Sequence, residues 1–170
     1  VLLTARHCIN EKSGSPVYQN GNKEENKIGY SDKYTVSGTG DAATIRVGDD
    51  NVEYAIAAAD DAADEYAVNV YGTVSKTRCK DLVAGNDTVY QQGRRTGRAQ
   101  CQVVDFKPPS DTVGDDYKIE VGANTEGGDS GGPYYEERED DVDNTTEAYI
   151  LGIHSRKAYD KNNEKKNGAG

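Results

Sequence analysis

Apolar residues in this chain come in short runs, not in long amphipathic stretches. Val1-Leu2-Leu3-Thr4-Ala5 reads as a strand that feeds His7. Thr35-Val36-Ser37 and Ala43-Thr44-Ile45-Arg46-Val47 alternate with the period of two that a half-buried strand requires. Gly38 to Asp41 supplies the turn between them, and Gly48-Asp49-Asp50-Asn51 supplies the next. Tyr54 to Ala59 is apolar and strand-length, although its alanines suit a helix equally well. Strand character resumes over Ala67 to Ser75. Val89 to Gln91 and Gln100 to Phe106 flank a glycine-containing loop, Gly93 to Gly97, and read as a hairpin. Tyr117 to Val121, Pro133 to Tyr135 and Tyr149 to Ile153 complete the strand set. Residues 9–31 read as a long polar loop or an irregular hairpin, residues 136–146 as an exposed polar loop, and the tail from Lys157 is polar.

Many short strands punctuated by turns predict an all-β chain folded as antiparallel barrels or a sandwich. Its length of 170 residues suits one domain. The core must draw on Val, Ile, Leu, Ala and Tyr, because there is no Trp, no Met and a single Phe.

Charge narrows the partners. The net charge of -10 disfavours a polyanionic nucleic acid. No run approaches the roughly 18 apolar residues of a membrane span. An acid-rich surface over a small core also suits high salt, where screening relieves self-repulsion. A halophilic source is therefore a hypothesis; unfolding in low salt would support it, and full stability in dilute buffer would count against it. The three cysteines, Cys8, Cys79 and Cys101, form no CxxC pair and no Cys/His cluster, so no metal site is expected.

Two strings carry chemistry. Gly128-Asp129-Ser130-Gly131-Gly132-Pro133 sets a hydroxyl among glycines that permit a tight backbone and an open approach. A plain turn would use similar residues. A serine becomes a useful nucleophile only beside a base, and its reaction needs donors for a developing oxyanion. Thr4-Ala5-Arg6-His7-Cys8 ends a short apolar strand on an imidazole, the side chain suited to proton shuttling near neutral pH. A lone histidine is more often a structural or surface residue, but here it precedes the serine string in the chain.

Together these strings resemble the motifs of the chymotrypsin-like (trypsin-type) serine proteases. Arg6 stands where Ala is usual in the histidine motif, whereas Gly128 to Pro133 matches the serine motif unaltered. Gln92-Gly93-Arg94-Arg95-Thr96-Gly97 followed by Cys101 is similar to the Gly-x-Thr-Thr-Gly hairpin of the alpha-lytic protease and streptogrisin branch. Tyr149 to Ser155 is similar to the strand that lines the substrate cleft. The resemblance runs from residue 1 to about 156, with a boundary between two barrel halves near 72–90. Residues 157–170 are left as a polar tail, disordered or cut short. Strands that the family carries before position 1 and after Ser155 are missing from this reading, so the chain is expected to be incomplete at both ends.

The resemblance implies two antiparallel β-barrels with the active site between them. It implies His7 as general base, Ser130 as nucleophile, and an oxyanion hole from the backbone N–H groups of Gly128 and Ser130. It implies a carboxylate that orients the imidazole. The family places an Asp before a short apolar strand, as in Asp-x-Ala-Leu. Glu53, ahead of Tyr54-Ala55-Ile56, takes that position here; Asp50 and Asp49 are alternatives, as are Asp64 and Glu65 in a second similar segment. Asn124 and Thr125 fall where substrate-pocket residues lie, and Ser155 lies on the strand that holds the substrate backbone. Cys8 is left without its family partner, and Cys79–Cys101 is the disulfide the hairpin comparison suggests. Relatives in this branch often bury an Arg before the hairpin glycine, paired with the Asp of the serine motif. Gln91 and Gln92 stand there instead, which leaves Asp129 to find a partner such as Arg94 or Arg95.

The expectation is a secreted, extracellular and monomeric serine endopeptidase. It would act on protein or peptide through an acyl-enzyme, with no cofactor. The rival is a noncatalytic binding or adhesion module on the same scaffold, since fold does not fix function.

Overall fold

The alternation of the N-terminal segments becomes a four-stranded sheet. Its strands are β1 (Leu2–Ala5), β2 (Pro16–Tyr18), β3 (Lys27–Ser31) and β4 (Ala42–Val47), in the order β1-β4-β3-β2. All three neighbouring pairs are antiparallel. The computed structural model describes residues 2–9, 12–19, 22–32, 41–48, 55–56, 68–85, 87–107, 118–159 and 165–169. Ala43 and Ile45 of β4 are buried while Arg46 faces outward, as the sequence alternation requires. The register of β1 on β4 pairs Ala5 with Ala42. That pairing brings the residue before β4, Asp41, to the same end of the sheet as the short turn Arg6–Cys8 that follows β1.

The C-terminal part closes on itself. Its strands are β7 (Thr88–Gly93), β8 (Gly97–Lys107), β9 (Lys118–Val121), β10 (Pro133–Glu139), β11 (Thr146–Tyr159) and β12 (Lys165–Ala169). They pair in the order β10-β7-β8-β9-β12-β11, and β11 pairs again with β10, which makes a closed antiparallel ring. Closure removes the exposed strand edges that invite aggregation. Before this barrel in the chain come β5 (Ala55–Ile56) and β6 (Val68–Thr73), with β6 lying parallel to the first half of β11.

Strand alternation sorts the core. Tyr134 of β10 points into the barrel with Val89, Cys101, Val103, Ile119 and Val121. Its neighbour Tyr135 points the other way, onto Ile56, Val68 and Ala148. Each fully buried aliphatic side chain contributes about 1.5–3 kcal/mol over exposure, so this interior is the main support of the site.

The all-β expectation holds, with two differences. A helix, α1 (Lys76–Gly85), joins the halves and seats Cys79 and Leu82 on the barrel core. Its start is capped by Ser75, whose Oγ accepts from the Arg78 N–H at 3.2 Å. The tail expected to be disordered or cut short instead carries β12, which pairs with β11 on one side and β9 on the other. Backbone pairing does not need apolar side chains, so polar composition hid this strand.

Candidate active site

The site is assembled where the end of β1, the start of β4, the serine loop and the middle of β11 meet. His7 sits in the turn after β1, with its side chain about half exposed. Its ring Nδ1 lies 2.5 Å from Asp41 Oδ2, and its backbone N–H donates to Asp41 Oδ1 at 2.9 Å. The Arg6 N–H donates to the Asp41 carbonyl oxygen at 3.0 Å, which fixes the residue from behind. Ser155 Oγ donates to Asp41 Oδ2 at 2.7 Å.

These bonds determine the protonation pattern. Partial burial acts to raise the Asp41 pKa, but the bonds from Ser155 and His7 outweigh it and hold the carboxyl below its ordinary value. An ionised carboxylate only accepts hydrogen bonds, so Nδ1 of His7 carries the proton. In the neutral imidazole the Nε2 lone pair is then left to take a proton from elsewhere.

The serine loop is tied to the same place through the backbone. Gly131 N–H donates to the His154 carbonyl and His154 N–H to the Gly132 carbonyl, both at 2.7 Å. Ser155, the next residue of β11, reaches Asp41. On the other side, Cys8 Sγ lies 3.5 Å from the Ser130 carbonyl oxygen. A side chain at Gly131, where φ is +86°, would overlap Thr4 Oγ1 and come within 3.3 Å of the Ala5 nitrogen. One at Gly132 would run into the Gln92 carbonyl. The two glycines after the serine are therefore required by the close packing of the loop on Thr4 of β1 and on the Gln92 backbone of β7. A circuit results: His7 to Asp41, to Ser155, through His154 to the serine loop, and back by Cys8.

Asp129 is buried at 1% exposure and accepts four hydrogen bonds. Oδ1 takes the N–H groups of Arg95 (2.7 Å) and Thr96 (3.1 Å); Oδ2 takes Thr96 Oγ (3.0 Å) and the Glu126 N–H (2.8 Å). Burial acts to raise its pKa, and these bonds more than offset that, so the carboxyl is held below its usual value. The partner sought among the Arg94 and Arg95 side chains is the hairpin backbone and a threonine instead. Other amides of the loop are engaged internally: Asp129 N–H on Glu126 O at 3.2 Å and Gly132 N–H on Asp129 O at 3.0 Å.

The remaining expected residues fall as follows. Thr125 is fully buried and Asn124 exposed. Ser155 is buried, and its hydroxyl is directed at Asp41. Glu53, with its alternatives Asp49, Asp50, Asp64 and Glu65, lies outside the described residues. The carboxylate on His7 Nδ1 is that of Asp41, a residue the sequence reading passed over as part of a turn. A signal was present, since Asp41-Ala42-Ala43 follows the Asp-x-Ala pattern and opens a clear strand. The suggested Cys79–Cys101 disulfide does not form: all three cysteines are free thiols. Cys79 and Cys101 share one apolar core, and burial pushes the Cys101 thiol up to about 12. Among the described residues no group of His, Cys, Asp and Glu could hold a metal ion.

Comparison with known proteins agrees with this architecture. No curated protein sequence matches the chain. Solved structures do. Nocardiopsis protease superposes with a TM-score of 0.62 at 16% identity, over 98% of this chain and 76% of that one. A glutamic acid-specific serine protease that uses a histidine triad in substrate binding gives 0.61 at 17% identity, over 98% and 77%. Cellulomonas bogoriensis chymotrypsin gives 0.58 at 16% identity, over 98% and 76%. At these identities the likeness is one of fold. A sequence model of the trypsin family matches residues 1–169. With that match over nearly its whole length, the chain belongs to the trypsin family.

Proposed function

We propose that this chain is a serine endopeptidase that cleaves peptide bonds through an acyl-enzyme, with Ser130, His7 and Asp41 as its catalytic residues. The observation that carries the reading is the short contact between His7 Nδ1 and Asp41 Oδ2, backed by Ser155. A binding module has no use for an imidazole held in one tautomer by a half-buried carboxylate.

The steps follow from the groups present. Ser130 Oγ attacks the scissile carbonyl as His7 Nε2 takes its proton. The imidazolium formed is stabilised by Asp41, which stays ionised. The tetrahedral oxyanion is met by the N–H groups of Gly128 and Ser130. Among the described residues these two amides have no backbone partner, while their neighbours at 129, 131 and 132 do. Collapse breaks the C–N bond, and His7 gives its proton to the leaving amine. Water then enters by the reverse sequence and frees Ser130. Each oxyanion donor is worth about 3–4 kcal/mol.

Asn124 is proposed to border the pocket for the substrate side chain, with Thr125 buried behind it, and the backbone near Ser155 to receive the substrate as an added strand. The specificity of the glutamate-specific relative is not carried over. Three histidines make its binding triad, whereas this chain has two in all and one is His7. The substrate is a protein or peptide and the site of action extracellular. Among the described residues no helix is long and apolar enough to cross a membrane.

The test is hydrolysis of an unfolded protein substrate. Wild type is expected to release peptides and Ser130→Ala to release none. Equal rates in both would reject the proposal.

A further inference from the structure

The cradle of Asp129 assigns a task to the β7–β8 hairpin. A carboxylate has about four acceptor positions, and all four on Asp129 are occupied. None of the donors is charged. Thr96 supplies two of them, its N–H to one oxygen and its hydroxyl to the other. That hydroxyl also lies 3.1 Å from Oε1 of Gln91, which is fully buried in β7. Gly93 completes the fit, since a side chain there would lie 2.5 Å from the Asp129 carboxyl carbon. Asp129 is bonded covalently to Ser130, and its fourth donor, the Glu126 N–H, begins the turn that carries Gly128.

We propose that Thr96 is a positioning residue for Ser130. It locks Asp129 in a cradle whose donors, among the described residues, are all uncharged, and so fixes the oxyanion loop. The inference rests on Ser130 being the nucleophile of the proposed function. Burying an unpaired carboxylate is costly, and several hydrogen bonds from neutral donors can replace a counter-charge. Here the hairpin tip provides three of them and the Glu126 N–H of the serine loop the fourth. The loop thereby takes its shape from β7 and β8 and needs no ammonium or guanidinium inserted beside Asp129. A misplacement of about 1 Å in a reacting group can cost ~10²-fold in rate, so loss of this tether should reach the chemistry.

The experiment compares wild type, Thr96→Val, Thr96→Ser and Arg94→Ala by kcat and KM on a peptide substrate. Thr96→Val is expected to lower kcat at least about tenfold with KM nearly unchanged, because the loop and not the binding strand is disturbed. Thr96→Ser, which keeps the hydroxyl, should restore kcat to within about twofold, and Arg94→Ala should leave it within about twofold. Wild-type kcat in Thr96→Val, failure of Ser to rescue, or a loss in Arg94→Ala would each overturn the assignment. Amide hydrogen exchange on the wild-type chain gives a readout independent of folding in the variants and of hydrolysis. The Arg95, Thr96 and Glu126 amides should exchange slowly and together. If they exchange like exposed turn amides, the cradle is refuted even in an active protease. If they are protected but Ser130 does no chemistry, the proposed function fails and the cradle stands.

Discussion

Ser155 Oγ and His7 Nδ1 converge on one oxygen of Asp41, at 2.7 and 2.5 Å, although the three residues come from β11, the turn after β1 and the start of β4. The carboxylate is thus held by the second half of the molecule while it holds the imidazole of the first. Asp41→Asn should lower kcat about 10³–10⁴-fold, since the amide reverses the donor pattern and favours the wrong tautomer. Ser155→Ala should cost less, about tenfold, because it removes one of several bonds to Asp41. Glu53→Gln should change kcat less than about twofold. Kinetics of the three variants on one peptide substrate check the order; a larger loss at Glu53 than at Asp41 would reverse the assignment of the acid.

Gly132→Ala should destabilise the protein by roughly 1–3 kcal/mol, the range for overpacking a tight site. The added methyl meets the Gln92 carbonyl, and backbone cannot step aside as a side chain can. A thermal melt of the variant measures the effect, and an unchanged midpoint would contradict the close packing of the serine loop on β7.

Acid should unfold the chain through Asp41 and Asp129. Both carboxyls titrate lower in the folded state than in the unfolded one, for which the ordinary value is 3.8. In the acid range the unfolded chain therefore binds more protons, and stability rises with pH. The stabilisation is fully present above the unfolded value and is lost as pH falls through the lower folded values. Urea midpoints taken from neutral pH down to about pH 3 should fall most steeply at the acid end. In Asp129→Asn that portion of the acid dependence should shrink.

Thiol counting tests the reduced state of the cysteines. Cys8 is exposed, while Cys79 and Cys101 lie in the barrel core. An aromatic disulfide reagent should titrate a single thiol in the native protein and all three after unfolding. Burial, and then the Asp41 charge, raises the Cys8 pKa, so its reaction should be slow at neutral pH and quicken as pH rises. Finding only Cys8 after unfolding without reductant would mean that Cys79 and Cys101 are bridged.

The parts of this architecture written in local pattern could be read from sequence. Alternation in Ala43 to Val47 and the glycines of the serine string gave the strand and the loop directly, because each depends on neighbours in the chain. The helix α1 carried a readable signal in Ser75 followed by Cys79, Leu82 and Val83 at helical spacing, but its polar exposed face masked it. The acid was harder. With 30 acidic residues, which one meets His7 depends on the pairing of Ala5 with Ala42, a tertiary event. The partners of Asp129 were out of reach of any reading by residue type, since three of its four donors are backbone N–H groups.

Labelling with a fluorophosphonate, followed by peptide mapping, reads out whether Ser130 is a nucleophile activated by His7. One adduct is expected, on Ser130, abolished in Ser130→Ala and slowed by orders of magnitude in His7→Ala. A folded wild-type chain that takes up no label, or one labelled elsewhere at the same rate in both variants, would contradict it.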